Sequence, residues 1–358
     1  MGLMERATAR ILDANLNRAR EAARVAEDHA RFALNEADLA GGYKRLRHGL
    51  AEVAARLPAG ELAAVRDTPG DVGTRIATPQ EQQRDGPSAV AIAAAKRLSE
   101  ALRVLEEYAK TVSGALGAAF ERLRYDGYEL ERRLVLRCSR RARFADVRLY
   151  VLITEALCRG GDWLVAAAAA IEGGADCVQL REKDRTDGEL LARARRLADL
   201  AHRHGRLCIV NDRPDIAWLA GADGVHLGTG DLPASAARKI VGPDLLIGLS
   251  SHTVEQARAA GAEGPDYLAC GPMFASSTKP QAHIAGAETL GAVRAITKLP
   301  LVAIGGIDAG NVGAVVAAGA DAVAVCSAVI GAADPKAAAA ALRALADHRP
   351  TTPPPDRR

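Results

Sequence analysis

No run of about 18 or more apolar residues occurs in this chain of 358 residues, so no membrane-spanning helix is expected. The opening MGLMERATAR carries charges where a secretory core needs apolar side chains, and a cytoplasmic location is expected. Metal-ligand spacing is missing from the cysteines. Cys138, Cys158, Cys177, Cys208, Cys270 and Cys326 are scattered, the last two and Cys177 and Cys208 within expected buried strands, which reads as free thiols acting as small hydrophobes. Nor is there a large excess of one charge: the net +3 is a small difference between interspersed totals. That excludes an electrostatic nucleic-acid binder, and neither a nucleic-acid nor a membrane partner is expected. What the chain does have is length for two domains and 49% apolar residues for their cores.

Between about residues 4 and 138 no strand pattern appears. Ala, Leu, Arg and Glu dominate, with Ile11, Leu12, Leu16, Ala19, Ala22, Ala23 and Ala26 at helical spacing, so an all-α domain is expected over 1–140. It contains an internal echo. REAARVAEDHAR from Arg20 resembles SEALRVLEEYAK from Ser99, and Glu21, Arg24, Val25 and Glu27 match Glu100, Arg103, Val104 and Glu106. Two copies suit duplication within one bundle better than a solenoid, and the charges three apart suit pairing along a solvated helix face. Between the copies, Arg66 to Ser88 is long and rich in Gly, Pro, Thr and Asp; Arg66, Asp67, Asp71, Thr74 and Arg75 could together meet a phosphate and a metal, although a surface loop explains the same composition. The basic run Arg137 to Arg143 reads as a linker, with a boundary near Arg143.

Short apolar strands then alternate with Ala-rich helices, the pattern of consecutive βα units around a parallel sheet. Strands are expected at Leu149–Thr154, Cys177–Glu182, Leu207–Asp212, Gly224–Gly228, Leu246–Ser250, Tyr267–Gly271, Leu301–Gly305 and Ala322–Ser327. Eight such units make an α/β fold, a (β/α)8 TIM barrel over 146–345 that follows the all-α helical domain. GGADCVQL, AGADGVHL and AGADAVAV repeat one device, in which Gly-Ala-Asp leaves a helix and enters a strand. The polar, Pro-rich residues 346–358 read as a disordered tail.

Ligands of such barrels gather at the C-terminal strand ends. On the second strand Gln179, Arg181 and Lys183 alternate onto one face and Leu180 and Glu182 onto the other, so two cations and an amide meet an anion such as a multiply charged phosphate. Asp212 and Asp231, on neighbouring loops beside those cations, suit one Mg2+. Strand five ends in Ser250-Ser251-His252, and His252 at a helix start reads as a cap or packing residue. After strand six, Ser276, Ser277, Thr278 and Lys279 can close over an anionic substrate. Gly305-Gly306 and Cys326-Ser327 end strands seven and eight, where this fold commonly places a second phosphate.

In order, QLREKD, IVNDRPDIA, GVHLGTGDLP, IGLSSHT, DYLACGPMFASSTK, VAIGGI and VAVCSAV resemble thiamine phosphate synthase across nearly all of Arg148 to Ala332. The resemblance implies joining a hydroxymethylpyrimidine diphosphate to a hydroxyethylthiazole phosphate with release of diphosphate. It places the pyrimidine diphosphate against Gln179, Leu180, Arg181, Glu182, Lys183, Asn211, Ser250 and Lys279, with Arg181, Lys183 and Lys279 stabilising the leaving group and Mg2+ on Asp212 and Asp231. It places the thiazole phosphate against Ser276, Ser277, Thr278, Gly306, Cys326 and Ser327. Thr229 stands where that family usually has Gln, and Ser276-Ser277 where a TxTK loop is commoner, departures that bear on affinity more than on reaction type.

Two readings compete for the barrel: a thiazole tautomerase sharing the thiazole phosphate site, and a non-catalytic sensor of phosphorylated ligands. The helical half, through its EAxRVxE segments and RDTPGDVGTRI loop, resembles a domain fused to this synthase whose family is proposed to phosphorylate hydroxymethylpyrimidine phosphate. It has no Walker-type glycine loop, and a scaffold or dimerisation bundle fits equally. The partners implied are phosphorylated small molecules, and a homo-oligomer is compatible.

Overall fold

The computed structural model describes residues 4–34, 36–67, 70–71, 84–275 and 284–347. They fall into two units, Met1–Ser139 and Arg140–Arg358.

The first unit is built on α1 (Arg6–Asp28), α2 (Ala37–Ala54), α3 (Ala59–Ala64), α4 (Pro87–Val112) and most of α5 (Gly114–Ala145), with a π-helical turn at His29–Ala33. The echo in the sequence extends over a whole helix pair. Buried Leu16, Ala19, Ala23 and Ala26 of α1 correspond to buried Ala95, Leu98, Leu102 and Leu105 of α4; Leu39, Tyr43 and Leu46 of α2 correspond to Leu116, Phe120 and Leu123 of α5. Of the matched charges, Glu21, Arg24, Glu100 and Arg103 lie on the expected solvated face, with Arg103 3.1 Å from Glu106 along the helix, but the second glutamate of each copy turns inward. Glu27 is buried and meets Arg47 of α2 at 3.0 Å, and its counterpart Glu106, 1% exposed, meets Arg124 of α5. Each repeat therefore ties its two helices together with one internal ion pair. Burial alone would raise the Glu106 carboxyl, but hydrogen bonds from Lys110 and Arg124 overbalance it and hold the group below its ordinary value.

The basic run is helical, lying within α5, and the boundary between the two units falls inside it. Three of its positive side chains have fixed partners, Arg137 on Glu36, Arg140 on Asp266 at 3.0 Å and Arg143 on Asp223.

The second unit is a closed barrel of eight parallel strands in sequential order. They are β1 (Leu149–Ile153), β2 (Cys177–Leu180), β3 (Leu207–Asn211), β4 (Gly224–Leu227), β5 (Leu246–Ser251), β6 (Tyr267–Cys270), β7 (Leu301–Ile304) and β8 (Ala322–Val325). All eight expected strands form, mostly a residue or two shorter at the end where the chain turns out into a loop. Outward side chains such as Val151, Val178, Val225 and Val323 pack under the helices, while Tyr150, Cys177, Ile209, Leu246, Tyr267 and Val302 fill the interior. Phe144, at the end of α5, stacks on Tyr267 with ring centroids 4.1 Å apart and closes the bottom of this core. Gly248 is what lets the Tyr267 ring cross the barrel, since a Cβ there would stand 2.0 Å from it.

An aspartate precedes every even strand and staples the odd strand before it. Asp176 accepts from Leu149 N, Asp223 from Cys208 N, Asp266 from Ile247 N and Asp321 from Leu301 N, at 2.8–3.1 Å. Each also holds an arginine: Arg206, Arg143, Arg238 and Arg294 respectively. Three of the four are the aspartates of the Gly-Ala-Asp echo; the fourth, Asp266, sits in Gly264-Pro265-Asp266 and escapes that pattern. Gly174, Gly221, Gly264 and Gly319, two residues earlier in each case, all have positive φ, which is why a glycine ends these helices.

Candidate active site

The opposite rim opens into a cavity of about 910 Å3. Gln179, Arg181 and Lys183 reach it from β2 and the loop that follows, Asn211 and Asp212 from the end of β3, and Asp231 from the turn after β4. Ser250 comes from β5, Gly306 from beyond β7, and Cys326 and Ser327 from the end of β8. The expected residues thus converge from six strands, because each sits at the place where its strand leaves the parallel sheet.

Leu180 and Glu182 do not line the cavity. Leu180, 1% exposed, packs in the outer core, and Glu182 accepts from the Glu155 amide at 2.7 Å and pairs with Arg193 at 3.6 Å. The alternation of the strand turns them away, so the expected contact of Gln179 to Lys183 narrows to its odd-numbered members. Ser276, Ser277, Thr278 and Lys279 lie outside the described residues, as do Thr74 and Arg75 of the N-terminal loop. In that loop Arg66 is held by Asp13 at 2.6 Å and Asp67 accepts from the Gly70 amide.

Charge at the rim is arranged under tension. Lys183 Nζ stands 3.7 Å from Asp212 Oδ2. Burial, and then the neighbouring Asp231 carboxylate, raise the Asp212 carboxyl above its ordinary value, and Lys183 and Arg181 only partly offset this. Asp212 also has φ of 63°, the one non-glycine residue in the left-handed region among the described residues, held there by a hydrogen bond from its backbone N–H to His226 O at 2.8 Å. Asp231 is fixed by the Gly228 amide at 2.6 Å. Two crowded carboxylates, one of them reluctant to ionise, fit a divalent cation that would relieve their repulsion, with phosphate oxygens and water completing an oxygen shell.

Across the cavity Gly305 and Gly306 have φ of 99° and 66°, conformations that suit glycine, and bring the backbone against Pro272 and Phe274. A Cβ on Gly306 would stand 2.6 Å from Ala275 O. The wall between the polar groups is apolar: Leu152, Phe274, Ile284 and Ile304. Such a lining suits a flat heterocycle.

Sequence reading assigns no role to His226, Tyr150 or Tyr267. His226 lines the cavity while its ring meets Tyr267 OH and Ser250 Oγ, and burial pushes its pKa down to about 4, so it stays neutral near pH 7. The inward position of all three in their strands was readable; their meeting across the barrel was not. His252 instead serves the scaffold, donating from Nδ1 to Gly271 O at 2.6 Å.

Comparison with known proteins gives the family. Residues 149–329 match the family described as thiamine monophosphate synthase, and residues 10–133 match the ThiD2 family. Thiamine-phosphate synthase of Rhodopirellula baltica is 42% identical over 325 residues, covering 88% of this chain and 86% of the relative. The enzyme of the same name from Synechocystis is 43% identical over 314 residues, covering 88% and 89%. Thiamine phosphate pyrophosphorylase from Pyrococcus furiosus, a solved structure, is 35% identical with a TM-score of 0.53, covering 57% of this chain and 98% of that one. With an N-terminal ThiD2-family region joined to its barrel, the chain belongs to the thiamine-phosphate synthase family, transferases of thiamine biosynthesis.

Proposed function

We propose that the barrel condenses 4-amino-2-methyl-5-(diphosphomethyl)pyrimidine with 4-methyl-5-(2-phosphoethyl)thiazole, giving thiamine phosphate and diphosphate. The observation that carries this reading is that one cavity gathers Arg181 and Lys183 with the crowded Asp212–Asp231 pair and also, from the ends of β7 and β8, Gly306, Cys326 and Ser327. The first group suits a leaving diphosphate and the second another phosphate. The bond between the pyrimidine methylene and the diphosphate oxygen breaks, its electron pair departing with the diphosphate. The thiazole nitrogen then gives its lone pair to the methylene carbon. Arg181 and Lys183 meet the charge growing on the leaving oxygens, and Lys279 is proposed to join them. When bound at Asp212 and Asp231, Mg2+ would supply further charge neutralisation for the diphosphate. Gln179, Asn211 and Ser250 orient the pyrimidine half, while Ser276, Ser277 and Thr278 are proposed to join Gly306, Cys326 and Ser327 around the thiazole phosphate. The apolar wall keeps water from the electron-poor methylene.

A thiazole tautomerase has no diphosphate to bind, so the joint presence of Gln179, Arg181, Lys183, Asp212 and Asp231 disfavours it; of the cavity histidines, His226 has both ring nitrogens engaged and His252 gives Nδ1 to a backbone carbonyl. A cytoplasmic setting suits the cysteines, none of which forms a disulfide. Incubating the full chain with both substrates and Mg2+ should yield thiamine phosphate and diphosphate in equal amounts. No product would refute the reading.

For the helical unit, the match to the ThiD2 family supports phosphorylation of hydroxymethylpyrimidine phosphate, which would supply the diphosphate that the barrel consumes. The full chain given the monophosphate, ATP and Mg2+ should form the diphosphate, and a scaffold would not.

A further inference from the structure

Beneath the cavity floor, side chains from β2, β1, β6, β4 and β5 form one unbroken hydrogen-bonded chain. Gln179 Nε2 donates to Tyr150 OH at 2.7 Å, and Tyr150 OH lies 3.1 Å from Tyr267 OH. Tyr267 OH lies 3.1 Å from His226 Nδ1, and His226 Nε2 lies 2.9 Å from Ser250 Oγ. Gln179, His226 and Ser250 line the cavity, whereas the two phenols are 2% and 0% exposed and touch no ligand space.

Buried polar groups must use their protons well, and here that requirement sets a direction. An amide nitrogen only donates, so the Tyr150 oxygen accepts, and of the two neighbours for its own proton, Tyr267 OH and the Cys177 thiol, the phenol oxygen is the better acceptor. Tyr267 receives that proton and passes its own to His226 Nδ1. A neutral imidazole with a bare Nδ1 carries its hydrogen on Nε2. That N–H points at Ser250 Oγ, which therefore accepts, and the Ser250 hydroxyl proton is left to face the cavity. Burial supports each step: it holds the imidazole neutral and keeps both phenols protonated.

We propose that Tyr150 and Tyr267 are positioning residues that lock His226 in its Nε2–H tautomer and so make Ser250 a hydrogen-bond donor toward the ligand. No proton changes owner along the chain. Its effect is electrostatic: as the carbon–oxygen bond to the diphosphate breaks, a donor at Ser250 favours the charge appearing on oxygen, where a lone pair would oppose it. The identity of that acceptor rests on the condensation reading; the tautomer does not.

The test is 15N NMR of the imidazoles in the full chain, with the His226 signals assigned by their loss in His226→Gln. A pyridine-type Nδ1 and a pyrrole-type Nε2 are expected; the reverse tautomer, which a flipped Gln179 amide would impose, overturns the proposal even in an active enzyme. Tyr267→Phe keeps the ring and removes the donor, so it should mix the tautomers and lower kcat about tenfold with little change in KM. On a Ser250→Ala background the same change should cost nothing more, because both act through one hydroxyl. An unchanged kcat, or full additivity, overturns it. Should the wild-type chain form no thiamine phosphate, the condensation reading fails, and the tautomer in the NMR experiment still decides this one.

Discussion

The two rims of the barrel use the same residue type in opposite ways. At the bottom, Asp176, Asp223, Asp266 and Asp321 are each satisfied by a strand amide and an arginine. At the top, Asp212 and Asp231 face each other, with one lysine 3.7 Å away and a carboxyl pushed above its ordinary value. A saturated carboxylate stabilises the fold and has nothing left to bind with. Asp212 is poorly compensated by the protein alone, and on the proposed reading a cation with diphosphate would complete it.

The contrast can be broken from either side. The largest effect is expected at the top: Asp212→Ala or Arg181→Ala should lower turnover by about two to four orders of magnitude while the melting temperature stays near that of the unaltered chain. Activity within a few-fold would remove those residues from the chemistry. At the bottom the pattern should invert. Asp266 is fully buried between Arg140 and Arg238, so Asp266→Ala should cost about 3–5 kcal/mol in urea unfolding, with turnover per folded molecule preserved. A smaller effect sharpens the comparison: Asp212→Asn removes the repulsion, so without Mg2+ it should melt slightly higher than the unaltered chain, and it should lose the rise in melting temperature that Mg2+ with diphosphate produces in that chain.

The smallest effect concerns pH. His226 is depressed from 6.5 to about 4, so its neutral form contributes stability that is fully present above 6.5 and is lost as pH falls toward 4. Denaturant midpoints across that window should fall more steeply in the unaltered chain than in His226→Gln. Equal slopes would show that the imidazole is not held neutral by the floor.

Much of this was legible because a parallel barrel writes its strands as short apolar runs and its site at their ends; Arg181, Asn211, Asp212 and Ser327 follow from position alone. The contacts that escaped are those that closure of the barrel creates. Tyr150 and Tyr267 lie 117 residues apart and meet only when the sheet becomes a ring. The burial of Glu27 and Glu106 was hidden for a similar reason, since their partners Arg47 and Arg124 lie on other helices, whereas helical spacing reports only neighbours on the same one. Asp266 escaped because Pro265 replaces the alanine of its repeat, although the geometry it serves is unchanged.

Titration calorimetry of the full chain with Mg2+ in the presence of inorganic diphosphate tests the division of labour between the rims most directly. Saturable binding should be seen in the unaltered chain and in Asp223→Asn, and should vanish in Asp212→Ala and Asp231→Ala. Undiminished binding in the two top-rim variants would contradict it.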